Sequence, residues 1–260
     1  MVPLNRGMLS LETRRVLVLG GTHEGAELAR RLAGTEFADI EAITSLAGRL
    51  ELATLLPGRV RTGGFGGAAG LKRYLANQQI AFVIDATHPF ATTISAHAAE
   101  ACAGEGVALL RIDRPAWNIP PGTRWIAVDS MDDAAGALEG LGRRPFLTVG
   151  RRGLEAFARL EGVRFLVRLL AAPAEPLPLI DYEVVVARPP HSLGSERRLM
   201  EAHRIDVLVT KESGGEATAS KIEAARARDI PVVAVRRPPM RNREAVAGVD
   251  AALAWLRERL

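Results

Sequence analysis

Four short stretches of this 260-residue chain carry side chains and backbone suited to chemistry: GGTHEG from residue 20, DATHPFA from residue 85, TVGRRG from residue 148 and TKESGGE from residue 210. In the first, Gly20, Gly21 and Gly25 allow close backbone approach and unusual φ angles, and Thr22 adds a hydroxyl donor. Backbone N–H groups at the opening of a helix favour phosphate, although the spacing G-G-x-x-x-G departs from the dinucleotide fingerprint G-x-G-x-x-G. A tight, ligand-free turn is the plainer use of the same residues. In the second stretch His88 can donate a proton near neutral pH, while Thr87 or His88 can equally cap a helix that has Pro89 at its first position. The third offers Arg151 and Arg152 beside an expected helix N-terminus, a combination suited to anions. The fourth contains Lys211, one of only three lysines, with Ser213 and Gly214; Ser213 and Glu216 also fit a capping box.

Each stretch follows a short apolar run, and these runs set the frame. Strands are expected near 15–20, 39–45, 58–62, 80–86 and 107–112, with helices near 24–33, 67–78 and 91–104 between them. After Pro115 the rhythm restarts, with strands near 124–129, 145–149, 164–169, 182–188, 205–210 and 231–236 and a final helix over 244–259. The proline-rich DRPAWNIPPGTRW, residues 113–125, has the composition of a connector. The expectation is an α/β protein of two Rossmann-like lobes, residues 1–114 and 115–260, with parallel sheets flanked by helices and a cleft between them. The first lobe is expected to bind a nucleotide and the second to contribute substrate binding.

The second strand narrows the ligand. NAD-binding folds usually end it with an acid that grips the ribose 2′-OH. Here it ends in Thr44-Ser45 and continues LAGR, so Ser45, Gly48 and Arg49 offer a hydroxyl, a turn and a guanidinium in place of an acid. That pattern favours the 2′-phosphate of NADP over NAD. The loop GGFGG, with Gly64, Phe65 and Gly66, lets backbone pass near a flat or charged ligand.

Arginine supplies nearly all the positive charge behind a net charge of +4. No basic helix and few aromatic platforms accompany it, which argues against nucleic acid and for an anionic small molecule. The single cysteine, Cys102, excludes an internal disulfide framework, and no run is long and apolar enough for a signal or a membrane span. A cytoplasmic protein without membrane partners is expected, as a monomer or small homo-oligomer. The five histidines and one cysteine show no metal-ligand spacing. Tyr74 and Tyr182 are followed four residues later by Gln78 and Val186, so the Tyr-x-x-x-Lys of short-chain dehydrogenases is missing.

The ordered set GGTHEG, SLAGR, GGFGG, DATHPFA, RPAW and TKESGG, running from residue 20 to residue 215, resembles the precorrin-6A reductase family of cobalamin biosynthesis. The resemblance implies NADPH-dependent reduction of a carbon–carbon double bond of the precorrin-6A macrocycle to precorrin-6B, by direct hydride transfer. It places the pyrophosphate on Gly20, Gly21 and Thr22, the ribose 2′-phosphate on Ser45 and Arg49, and Thr87 and His88 near the nicotinamide. It also implies a tetrapyrrole ringed with carboxylates, for which Arg151, Arg152, Lys211, Ser213 and Gly214 are the candidate contacts; His88 and Lys211 are the candidate catalytic groups. A non-catalytic NADP-sensing regulator and a sugar-nucleotide enzyme remain as alternatives.

Overall fold

The computed structural model describes residues 13–48, 55–239 and 244–260. The chain divides into two compact units, one of residues 1–114 with 240–260 and the other of residues 115–239.

In the first unit the strands are β1 (Arg14–Leu19), β2 (Ile40–Leu46), β3 (Arg59–Thr62), β4 (Ile80–Asp85), β5 (Ala108–Ile112) and β12 (Ala245–Val246). They form one sheet in the order β12-β5-β4-β1-β2-β3, and every neighbouring pair is parallel. A central parallel strand is covered on both faces and so needs a continuous apolar run. In β1, Val16, Leu17 and Val18 are wholly buried. Helices α1 (His23–Leu32), α2 (Gly67–Asn77), α3 (Thr92–Glu105) and α7 (Val249–Arg257) supply the cover. Leu28 and Leu32 of α1 and Leu253 and Leu256 of α7 pack with Val16 and Val18. Leu71 and Leu75 of α2 and Ala98 and Cys102 of α3 pack on Leu17 and Leu19. Each fully buried leucine contributes about 1.5–3 kcal/mol relative to exposure.

The C-terminal segment corrects two expectations. It belongs to the first unit rather than the second, and it is not one helix over 244–259. Ala245 and Val246 pair with Arg111 and Ile112, with Arg111 N–H donating to the Glu244 carbonyl at 2.9 Å and Asp113 N–H to that of Val246 at 2.8 Å. The helix begins only after Gly248 and buries Val249, Ala252, Leu253 and Leu256 in the first unit's core. The open edge of β5 and an uncovered apolar face give the segment both its partners.

The second unit contains β6 (Trp125–Val128), β7 (Pro145–Leu147), β8 (Arg164–Leu169), β9 (Asp181–Val186), β10 (Val207–Lys211) and β11 (Val232–Val235), with helices α4 (Met131–Ala137), α5 (Leu193–Ala202) and α6 (Ser220–Arg226). Its sheet runs β6-β11-β10-β7-β8-β9, again all parallel. Ser130 and Ser192 cap α4 and α5 by accepting from the N–H groups of Asp133 and Ser195. Both sheets follow one plan, five strands wound in order plus a sixth from elsewhere. In the first unit the sixth is β12, from the far end of the chain; in the second it is β6, which precedes the other five.

Cys102 is 2% exposed. Burial, with the Asp85 charge adding, pushes its thiol up to about 12, and only the thiolate is a nucleophile. Native protein at pH 8 is therefore expected to resist a disulfide reagent over minutes, whereas one thiol per chain reacts in denaturant. Prompt reaction of the native protein would contradict this placement.

Candidate functional site

In a parallel sheet wound in this order, loops leave the carboxyl edge in opposite directions where the strand order reverses, and a crevice opens there. In the first unit that point lies between β1 and β4. GGTHEG follows β1 and DATHPFA follows β4, and Thr22 joins them: its hydroxyl donates to the Ala86 carbonyl at 2.6 Å and accepts from Gly25 N–H at 3.1 Å. The hydroxyl donor expected from Thr22 is thus already engaged, because Thr22 is the N-cap of α1. The donors left facing outward are backbone N–H groups of the first helical turn, which have no intrahelical partner. Gly21 has φ +108°, and a Cβ there would meet nothing within 4 Å, so the backbone at this point is open to close approach. Gly25 serves packing instead, since its Cβ would stand 3.1 Å from the Cα of Gly20.

At the end of β2, Ser45 is buried and its Oγ accepts from Arg61 Nη1 at 2.8 Å. Gly48 turns the chain with φ +76° and donates to Leu46 O at 2.9 Å. Arg49 lies outside the described residues. Arg61, at the carboxyl end of β3, was not among the expected site residues. It also donates to the carbonyls of Gly63 at 3.1 Å and Gly64 at 3.0 Å, and its guanidinium carbon stands 3.8 Å from the centre of the Phe65 ring. Phe65 meets Tyr74 of α2 edge-on at 5.2 Å. Gly64 and Gly66 border open space, where added Cβ atoms would meet nothing within 4 Å.

The DATHPFA segment is organised by a buried ion pair. Asp85 and Arg111 are each 1% exposed, with Nη1 2.6 Å from Oδ2. Asp85 also accepts from Thr87 N–H at 3.1 Å, Thr87 Oγ1 at 2.7 Å and Ser95 Oγ at 2.6 Å. Arg111 Nη1 donates to Thr87 Oγ1 at 2.9 Å and Ser95 Oγ at 3.0 Å. The expected cap is therefore corrected: α3 starts at Thr92 with Ala91 at its N-cap, and Pro89 is not its first residue. A carboxylate taken out of water recruits every donor in reach, and the Thr87 hydroxyl goes to it rather than to a helix end. His88 Nδ1 accepts from Phe90 N–H at 3.2 Å, so the neutral ring carries its proton on Nε2. The pair was not read from the sequence; its signal is an acid at the end of IAFVID and an arginine within VALLRI, which the sheet register sets side by side.

In the second unit the strand order reverses between β7 and β10, and TVGRRG and TKESGG follow those two strands. Lys211 ties them, its Nζ donating to Val149 O at 2.7 Å and Arg152 O at 3.4 Å. Burial, with the Arg152 charge adding, holds its pKa below the ordinary lysine value. The helix expected after Arg152 is only a 3₁₀ turn, Leu154–Phe157, preceded by Gly153 at φ +101°. Arg151 pairs with Glu175 at 3.3 Å in an exposed contact, which contributes little. Arg152 is exposed and forms no ion pair among the described residues.

Ser213 caps no helix; Glu216–Thr218 is a 3₁₀ turn without a side-chain cap. Tertiary contacts override the local pattern. Trp117 Nε1 donates to Gly215 O at 2.8 Å, Gly215 N–H to Pro115 O at 3.3 Å, and Arg237 Nη2 to Ser213 O at 3.0 Å. Gly214 passes this clamp with φ +66°. Arg168 and Glu196 form a second buried pair, bidentate at 2.7 and 2.8 Å. Cavities of about 300 and 350 Å³ open at the amino ends of this sheet's strands, lined by Arg143, Arg144, Arg164, Glu183 and His203 among others. None of the expected residues lies there, and the carboxyl edge is where such sheets bind ligands.

Comparison with known proteins agrees with this geometry. The family model described as precorrin-6x reductase CbiJ/CobK matches residues 15–257. A precorrin-6A reductase of Rhodococcus erythropolis is 44% identical over 243 residues, covering 93% of this chain and 97% of that protein. A cobalt-precorrin-6A reductase of Methanothermobacter thermautotrophicus is 30% identical, covering 95% and 86%. A solved structure of CobK precorrin-6A reductase superposes with a TM-score of 0.87 at 39% identity, covering 94% of this chain and 96% of that one. With nearly its whole length matched in sequence and in fold, the chain belongs to the precorrin-6x reductase family, CbiJ/CobK.

Proposed function

We propose that the protein reduces precorrin-6A to precorrin-6B in cobalamin biosynthesis, with NADPH as the reductant. The observation that carries the cofactor reading is the reversal point of the first sheet. There an exposed glycine turn opens α1 beside DATHPFA, and a guanidinium with neutral partners stands beyond the end of β2. The residues fit a dinucleotide. Gly20, Gly21 and the first N–H groups of α1 receive the pyrophosphate, Ser45, Gly48 and Arg49 border the 2′-phosphate, and the Gly64–Gly66 loop flanks the adenosine. Thr87, fixed by Asp85, positions the backbone beside the nicotinamide. When bound, the reduced nicotinamide supplies a hydride to an electron-poor carbon of the macrocycle.

The chain's own groups then orient the two partners, exclude water and manage one proton. His88, when protonated to the imidazolium, can deliver a proton from Nε2 to the carbon next to the one reduced and return to the neutral ring; water is the other source of that proton. Arg151, Arg152, Lys211, Ser213 and Gly214 line the corresponding edge of the second sheet and suit the carboxylates of a tetrapyrrole. Greater identity to relatives named for precorrin-6A than to those named for cobalt-precorrin-6A supports the metal-free macrocycle. Membership of a reductase family speaks against a non-catalytic sensor.

The test is cofactor oxidation with purified precorrin-6A, NADPH and NADH in parallel. Turnover preferring NADPH is expected; tight NADPH binding without turnover of either the metal-free or the cobalt-bearing macrocycle would overturn the reading. A second expectation concerns Lys211. A lysine with a lowered pKa loses its proton earlier as pH rises, so the alkaline limb of kcat/KM should fall below the ordinary 10.5. In Lys211→Arg, whose charge persists, that limb should move out of range. An unchanged limb would remove Lys211 from substrate binding.

A further inference from the structure

In the first unit Arg15, Arg59, Arg111 and Arg114 each meet a carboxylate. Arg61 does not. Its partners among the described residues are one hydroxyl and two carbonyls, all neutral: Ser45 Oγ, Gly63 O and Gly64 O. The side chain is half-buried, and desolvation draws its pKa down from the ordinary arginine value. A partly desolvated cation without a counter-charge among the described residues favours an anion in its place. The setting is also rigid. One face of the guanidinium lies on Phe65 at 3.8 Å, and three of its five N–H donors are directed to the loop and to β2. Ser45 accepts from Arg61 and so keeps its own hydroxyl proton to donate.

We infer that Arg61, stacked on Phe65 and braced by Ser45, is the residue that distinguishes a nucleotide with a phosphate on its adenosine ribose from one without it. This rests on the cofactor reading above and changes its emphasis. Ser45 becomes the brace and second donor, and the selecting charge comes from the third strand. A fixed planar fork matches a phosphate dianion through two parallel bonds, whereas a 2′-hydroxyl in the same place leaves the cation uncompensated.

The experiment is equilibrium binding of NADPH, NADH, 2′,5′-ADP and 5′-AMP to the full chain, as wild type, Arg61→Gln and Arg61→Lys. In Arg61→Gln, affinity for NADPH and 2′,5′-ADP should fall about 10- to 100-fold, the loss expected for a charge-assisted pair. Affinity for NADH and 5′-AMP should change less than about 3-fold. Arg61→Lys, which keeps the charge but loses the fork, should fall between. If the wild type discriminates and Arg61→Gln discriminates equally well, the Arg61 assignment is wrong. If NADPH and NADH weaken by the same factor in both variants, Arg61 only shapes the loop, and the assignment again fails. If the wild type itself does not prefer the phosphate-bearing nucleotides, the cofactor reading has failed instead.

Discussion

Arg111→Met should destabilise the protein by about 3–5 kcal/mol, the usual loss when one partner of a buried ion pair is removed. The cause is not the lost attraction alone. Asp85 would remain 1% exposed with a full charge, held only by Thr87 and Ser95. Arg111 Nη1 reaches Asp85, Thr87 and Ser95 together, so its removal also releases the backbone that leads to His88. Cofactor affinity should therefore fall alongside stability. Asp85→Asn should be about as costly, because it strands the cation. The double variant Arg111→Met with Asp85→Leu should recover a substantial part of the stability, since an apolar pair of similar volume leaves no buried charge. Urea unfolding of the single and double variants checks this. Additive losses would mean that the two side chains do not act as a pair.

The second large effect is expected from Gly70→Ala, and its sign opposes the usual one. Replacing a glycine inside a helix by alanine normally stabilises by about 1 kcal/mol. Gly70 lies within α2, but the carbonyl of Phe65 rests against its Cα, and a Cβ there would overlap that oxygen. The obstruction is backbone, not the end of a flexible side chain, so the GGFGG loop must lift away from the helix. The cost should be about 1–3 kcal/mol or more. Phe65 would move from beneath Arg61, and NADPH affinity should drop in step. Gly136→Ala in α4, where a Cβ meets nothing within 4 Å, is the control and should be neutral or mildly stabilising. Thermal unfolding of the two variants, with cofactor titration of the first, decides the matter. A Gly70→Ala protein as stable as the wild type would show that the loop does not press on the helix.

How far these features could be read beforehand depends on the range of the contacts behind them. The buried strands were legible because a parallel sheet covered on both faces demands an unbroken apolar run, as in RVLVL. The start of α1 was legible from the spacing of Leu28 and Leu32, although Thr22, expected as a donor to a ligand, is its cap. Ser213 and Glu216 misled: their spacing satisfies a local rule, but Pro115, Trp117 and Arg237 hold the turn from far along the chain. Arg61 was overlooked because surface arginines near turns are ordinary. Only the fold shows that its neighbours are neutral and that Phe65 lies beneath it. Thr87 looked like a cap because the acid and the guanidinium that claim its hydroxyl come from two separate strands.

The short strand β12 was the least legible element. Two residues carry no periodicity, and the partner β5 lies more than a hundred positions earlier. That pairing has a consequence for the order in which the protein can be made. While the chain grows from its N-terminus, the first sheet lacks its edge strand, and its core lacks Val249, Ala252, Leu253 and Leu256. By the time those residues leave the ribosome, every strand of the second unit has already emerged. The part synthesised first is thus the last to close, and a stalled or truncated nascent chain would present a complete second unit beside an unfinished, sticky first one.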